Sequence, residues 1–172
     1  MILYGFQQLN SSHYIIMGKE IEHKYLVRNE SFKQMCSETI DMAQGYLSRQ
    51  KGRTVRVRIA GNQGFITIKG PNDNATRDEF EYAIPLADAQ AMLKMCPPPV
   101  ISKTRHIVYF EGNKWEVDEF HDQLEGLVTA EIELPAADYQ YALPDFVGRD
   151  VTGDRRFYNS CLTTFDDLKS AL

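Results

Sequence analysis

Residues 53–69 read RTVRVRIAGNQGFITIK, two alternating runs joined at Gly61-Asn62-Gln63-Gly64. Successive side chains of a strand point to opposite faces. Arg56 and Arg58 therefore share a face, with Val55, Val57 and Ile59 opposite, and Thr67 shares a face with Lys69. Glycine and asparagine at the junction allow the backbone conformation a tight antiparallel hairpin requires. The stretch predicts strands over about 53–60 and 64–69, each with charge on one side.

The pattern continues outward in both directions. Residues 19–28, KEIEHKYLVR, place Glu20, Glu22 and Lys24 on one face. Further strands are expected near 43–50, 77–84, 101–111, 114–120 and 126–134. They carry the doublets Glu79/Glu81, Lys103/Arg105, Glu116/Asp118 and Glu131/Glu133, each two residues apart. Consecutive strands joined by short turns pair antiparallel, and eight of them can close around one small ligand. The expected class is mainly β (α+β): a closed eight-stranded antiparallel β-barrel with flanking helices.

Three helices are expected. Ser31 and Gln34 have capping-box spacing ahead of Phe32, Met35, Cys36 and Ile40. Pro85 suits the first turn of a helix with Leu86, Ala89, Leu93 and Cys96 on one side, stopped by Pro97-Pro98-Pro99. Tyr158, Cys161, Leu162, Phe165 and Leu168 suggest a terminal helix with Asp154 as N-cap.

The chain has 172 residues and a formal net charge of −5. That length fits one domain, expected over 17–172, with residues 1–16 as an extension outside it. The acidic balance argues against a nucleic-acid partner. No apolar run reaches the roughly 20 residues of a membrane-crossing helix. The first residues, MILYGFQQLNSSHYIIM, lack a basic n-region and an A-x-A site. Cys36, Cys96 and Cys161 form no CxxC pair and read as buried small hydrophobes in a reducing compartment. A cytoplasmic protein, monomer or homodimer, is expected.

A charged row on an antiparallel strand ordinarily faces water. The grouping of signs argues otherwise here. Lys24, Arg56, Arg58, Lys69, Lys103 and Arg105 would place six cations in one interior, among the carboxylates. Burying so many charges uncompensated is prohibitive. A polyanion together with a divalent cation would neutralise both sets. Arginine offers planar bidentate contacts to phosphate and lysine a point charge, while Mg²⁺ takes carboxylate oxygens and substrate phosphates. No glycine-rich phosphate loop of either common type is present, so side chains must do the gripping.

The segment EIEHKYLV at 20–27 resembles the ExExK signature of the CYTH family, the triphosphate tunnel metalloenzymes. Gln44-Gly45-Tyr46-Leu47 is similar to the family's next strand, Arg56-Val57-Arg58 to its RxR strand and Ile66-Thr67-Ile68-Lys69 to its TxK strand. Glu79-Phe80-Glu81, Lys103-Thr104-Arg105, the 115–120 segment WEVDEF and the 125–134 segment EGLVTAEIEL complete the series over roughly 18–160. The resemblance implies a tunnel with charges inward. It implies metal binding, Mg²⁺ or Mn²⁺, by Glu20, Glu22, Glu131 and Glu133, and a phosphate grip by Arg56, Arg58, Lys69, Lys103 and Arg105. Glu79, Glu81 and Asp118 would support the basic residues, or Glu81 and Asp118 a second metal, and Lys24 with Tyr46 would help activate the attacking water. Lysine among phosphates more often serves as a clamp than as a base. His23 departs from the family's usual Arg or Lys and is read as structural. His106 and His121 are read as surface or packing residues, and Trp115, Tyr109 and Phe110 as outer-wall core.

The function expected first is hydrolysis of a linear triphosphate: inorganic tripolyphosphate, or a nucleoside or thiamine triphosphate. A class IV-like adenylate cyclase would use the same residues plus a purine pocket, which the sequence does not reveal. A non-catalytic polyphosphate-binding module would be marked by a lost metal glutamate, and none is missing.

Overall fold

In a computed structural model, residues 15–71 and 76–169 are described, except the side chains of 15–20 and 76–77. The regular structure is mainly antiparallel β. Its strands are β1 (Ile15–Val27), β2 (Cys36–Gln50), β3 (Arg53–Ala60), β4 (Gln63–Lys69), β5 (Thr76–Ile84), β6 (Ile101–Phe110), β7 (Asn113–Phe120), β8 (Val128–Glu133) and β9 (Val147–Asp150). Among the described residues, helices α1 (Phe32–Met35) and α2 (Leu86–Leu93) lie between strands, and α3 (Phe165–Leu168) follows β9. The mainly-β expectation holds. The chain divides into two compact units: Ala43–Val100 with the start of β1, and Ile21–Met42 with Ile101–Leu172.

In the first unit β2, β3, β4 and β5 are successive hydrogen-bonded neighbours. The β3–β4 hairpin turns at Gly61-Asn62, with Ala60 opposite Gln63 and Gly61 at φ 55°. Register then sets Arg56 opposite Thr67 opposite Glu81 on one face, and Val57 opposite Ile66 opposite Tyr82 on the other. Helix α2 packs on the apolar side. A Cβ at Gly45 would lie 2.7 Å from the Cys96 Cβ, and one at Gly64 2.7 Å from the Ala89 Cβ. Gly64 thus lets the helix, and Gly45 the Cys96 segment just beyond it, sit directly on the strand backbone.

In the second unit β6, β7, β8, β1 and β9 are neighbours in that order. One face of these strands supplies the hydrophobic core: Tyr25, Val108, Trp115, Val117, Ala130 and Ile132, closed over by Phe32, Leu134, Phe146 and Val147. The other face carries the charges, with Lys24 opposite Glu131 opposite Glu116, and Asp118 opposite both Arg105 and Thr129.

Several local expectations are corrected. Cys36–Ile40 is not helical: α1 ends at Met35 after four residues, and β2 begins at Cys36. The Ser31 side chain makes no cap hydrogen bond. Instead, its backbone N–H donates to Asn29 Oδ1 at 3.0 Å. The capping-box spacing was coincidental, and long-range strand pairing overrode a weak helical stripe. The terminal stripe is broken likewise. Asp154 does cap, accepting from Arg156 N–H, but only a 3₁₀ turn at Arg155–Phe157. α3 starts separately at Phe165 behind Thr164. β9 was not foreseen. Cys96 is buried, Cys36 half-buried and Cys161 exposed, so the cysteines do not share one environment. Trp115 is core, whereas Tyr109 is 63% exposed.

Candidate active site

The charged faces are buried. Arg56 and Lys69 are 8% exposed, Glu81 7% and Thr67 0%, while Ile68 and Tyr82 on the opposite face are 43% and 37% exposed. A solvated polar face would show the reverse order. In the second unit Lys24, Lys103, Arg105, Asp118 and Glu131 are buried as well.

The cluster of the first unit is built on three strands. Glu81 is its hub. Arg58 donates to both its oxygens at 2.8 and 2.9 Å, Arg56 to Oε2 at 3.1 Å and the Thr67 hydroxyl to Oε2 at 2.6 Å. Thr67 in turn accepts from Arg56 at 3.1 Å, bridging acid and base. Lys69 pairs with Glu79 at 2.5 Å. Burial raises the Glu81 carboxyl, but Arg58 and Arg56 outweigh it and hold it below the ordinary carboxylate range. Glu81 thus remains an anion and fixes two guanidinium planes whose positions side-chain entropy would otherwise blur.

The second unit's cluster has two hubs. Asp118 is fully buried; it accepts two bonds from Arg105 at 2.7 Å each and one from Lys103. Arg105 reaches on to Glu131 at 3.1 Å and also pairs with Glu116. Glu131 receives Lys24 at 2.6 Å, and the Lys24 ammonium also donates to the Phe157 carbonyl at 3.0 Å. Burial penalises the Lys24 ammonium, yet Glu131 beside it, with Glu22 and Asp118, more than compensates and raises it above lysine's usual value. Burial pushes Lys103 down to about 8, opposed by Asp118 and reinforced by Arg105. Glu131 and Asp118 are both depressed: burial opposes this, but Lys24 and Arg105 dominate at Glu131, and Arg105 and Lys103 at Asp118.

Glu22 stands directly opposite Glu133 in the β1–β8 register. Like charges facing each other across a strand pair are destabilising, and a pair of hard carboxylate oxygens suits a divalent cation. Among the described residues no three His, Cys, Asp or Glu side chains form a ready-made cage. Mg²⁺ does not need one, since it binds through one or two carboxylates plus substrate phosphates and waters. The Glu20 side chain lies outside the described residues.

Of the sequence-expected site residues, Arg56, Arg58, Lys69, Glu79 and Glu81 come together in one unit. Lys24, Lys103, Arg105, Asp118 and Glu131 come together in the other. Tyr46 is buried and its hydroxyl accepts from Gln44 at 3.0 Å. Sequence reasoning assigned no role to Gln44, Glu116 or the Phe157 carbonyl. The first two were detectable as polar residues two apart from named ones. The carbonyl had no signal, because which backbone oxygen meets Lys24 is a matter of tertiary packing.

Antiparallel strands that bury alternating cations and carboxylates on one face define a class of protein that grips a polyanion with strand side chains. The chain belongs to the CYTH domain family, whose model matches residues 18–158. It is 45% identical over 147 residues to an inorganic triphosphatase of Acetivibrio thermocellus, covering 85% of this chain and 94% of that protein. It is 29% identical over 147 residues to the inorganic triphosphatase of Nitrosomonas europaea, covering 83% of this chain and 95% of the relative. A crystal structure of an inorganic triphosphatase, 27% identical, superposes with a TM-score of 0.61 over 84% of this chain and 93% of the other. No described helix is long and apolar enough to cross a membrane.

Proposed function

We propose that the chain is a metal-dependent triphosphatase that hydrolyses inorganic tripolyphosphate. The observation that carries this reading is the burial of five cations, Lys24, Arg56, Lys69, Lys103 and Arg105, with Arg58 half-buried beside them, each paired with a carboxylate on strand faces that would otherwise be the solvated ones. A polyphosphate is the kind of polyanion such cations suit. The 45% identity to an inorganic triphosphatase supports the same substrate.

Phosphoryl transfer needs positioning and charge stabilisation more than covalent chemistry. Arg56 and Arg58, held by Glu81, and Arg105, held by Asp118, offer planar N–H groups to phosphate oxygens. Lys69 and Lys24 add point charges. Lys24 is buried against Glu131 and the Phe157 carbonyl, a fixed position that suits a clamp on phosphate charge. A divalent cation, Mg²⁺ or Mn²⁺, would be held by Glu22 and Glu133, with Glu20 and Glu131 as the other carboxylates of the motif; bound there it would supply Lewis acidity to phosphate oxygens. Water attacks the terminal phosphorus, the bridging P–O bond breaks, and orthophosphate and pyrophosphate are released. Lys103 is only 1% exposed and bonded to Asp118, which supports a charge-balancing role behind Arg105.

The test is phosphate release from tripolyphosphate by the purified chain with Mg²⁺, with Mn²⁺ and after chelation. Turnover that disappears on chelation and in Glu133→Gln is expected. Turnover unaffected by either would remove the metal from the proposal.

A further inference from the structure

Gln44 is a fully buried polar side chain that the phosphate grip does not use. Its position follows from the strand. Gly45 abuts Leu93 at the end of α2 and Cys96 just beyond it, so its neighbours Gln44 and Tyr46 point to the opposite side of β2. Gly64, cross-strand to Ile59 and Ile84, also abuts α2. The helix therefore covers the face opposite Arg56, Thr67 and Glu81, and Gln44 shares the face of that charged cluster.

The Gln44 amide is half satisfied. Its Nε2 donates to the Tyr46 hydroxyl at 3.0 Å. Its Oε1 is buried and accepts no hydrogen bond from the described residues. Buried carbonyl oxygens nearly always have a donor, so this one is poised for a ligand that brings one. Tripolyphosphate offers acceptor oxygens. Among the reactants of the proposed hydrolysis, water is the one that carries O–H donors.

We infer that Gln44 orients the attacking water, accepting one of its O–H groups at Oε1 while Tyr46 fixes the amide from the other end. The inference rests on the triphosphatase reading. A neutral carboxamide takes no proton; it positions, as a glutamine does for the attacking water in some GTPases. The water oxygen forms the new bond to the terminal phosphorus as the bridging P–O bond breaks. The water's two protons end on phosphate oxygens of the products.

Gln44→Met keeps the length and removes both polar atoms. It should lower kcat for tripolyphosphate roughly 10–100-fold, the scale of losing nucleophile alignment, with KM within about threefold of native by the same logic of unaltered phosphate contacts. Calorimetric binding of tripolyphosphate should be unchanged, which a general loss of structure would not permit. Tyr46→Phe frees the amide to rotate and should lose kcat in the same sense, and the double variant should lose less than the product of the two effects. Gln44→Asn, polar but shorter, serves if the Met variant fails to fold, with the same split between kcat and KM expected. A raised KM with native kcat would assign the amide to a phosphate instead, and native values of both would leave it a packing residue; either overturns the inference alone. A native protein inert towards tripolyphosphate would sink the triphosphatase reading and this inference together.

Discussion

At the scale of single residues, the decisive feature is that the buried lysines and arginines named above are each paired with a carboxylate. Removing one member exposes the other. Asp118 is the clearest case, because Lys103 and Arg105 both depend on it. Asp118→Asn should cost about 3–5 kcal/mol, the usual penalty for stranding a buried charge, read as a lower midpoint in urea unfolding. An unchanged midpoint would mean that solvent reaches the site more freely than the burial of Asp118 implies. Arg56→Ala acts differently. Glu81 keeps Arg58 and Thr67, so the fold should hold, while kcat/KM for tripolyphosphate should fall roughly 10²-fold or more for a lost charge-stabilising donor. A variant with native kinetics would take Arg56 out of the grip. These pairings were only partly legible in the sequence. The i, i+2 spacing of Arg56 and Arg58 placed them on one face, but it could not say that Glu81, 25 residues from Arg56, would join them. Thr67's bridging role required the cross-strand register, which emerges only when three strands pair.

At the scale of elements, strand existence was readable and helix extent was not. The alternation at 53–69 fixed a hairpin because polarity and turn chemistry agreed over the whole stretch. The 31–40 stretch misled because four apolar residues at helical spacing say little against a strand that pairs along its length. Packing of α2 was visible as an apolar stripe, yet the glycines receiving it were not distinguishable from turn glycines. They yield a prediction of their own. Gly64→Ala places a Cβ 2.7 Å from the Ala89 Cβ and 3.1 Å from the Ile84 carbonyl oxygen. α2 must move away, at about 1–3 kcal/mol by analogy with overpacked cores. The Tm should drop, and Gly64→Ala combined with Ala89→Gly should recover most of it. Failure of that rescue would mean that the strand backbone near Ile84, and not the helix, is what the methyl group meets.

At the scale of the whole molecule, the charge clusters make stability depend on pH. Glu81, Asp118 and Glu131 all titrate below their ordinary values in the folded chain. The unfolded chain therefore binds more protons as pH falls through the carboxylate range, and folding weakens. The stabilisation is full at neutral pH and should be lost progressively below the ordinary carboxylate values of 4.5 and 3.8. A plot of Tm against pH should be flat near neutrality and bend downward on acidification; a Tm that rises on acidification would contradict the burial of these carboxylates. The family match begins at residue 18, and a chain lacking residues 1–16 is proposed to keep its Tm and its activity.

The central claim is that the buried cations serve hydrolysis of an inorganic triphosphate and not cyclisation of a nucleotide. Both reactions could use the same grip, but cyclisation also requires a ribose hydroxyl held in line with the α-phosphorus and polar partners for a base. The side chains proposed for the site address phosphate, metal and water. The most direct measurement puts tripolyphosphate and ATP with the purified chain and Mg²⁺ or Mn²⁺ in one tube, and follows orthophosphate and cyclic AMP together. Rapid orthophosphate release from tripolyphosphate with negligible cyclic AMP is the predicted result. Abundant cyclic AMP with tripolyphosphate left intact would contradict it.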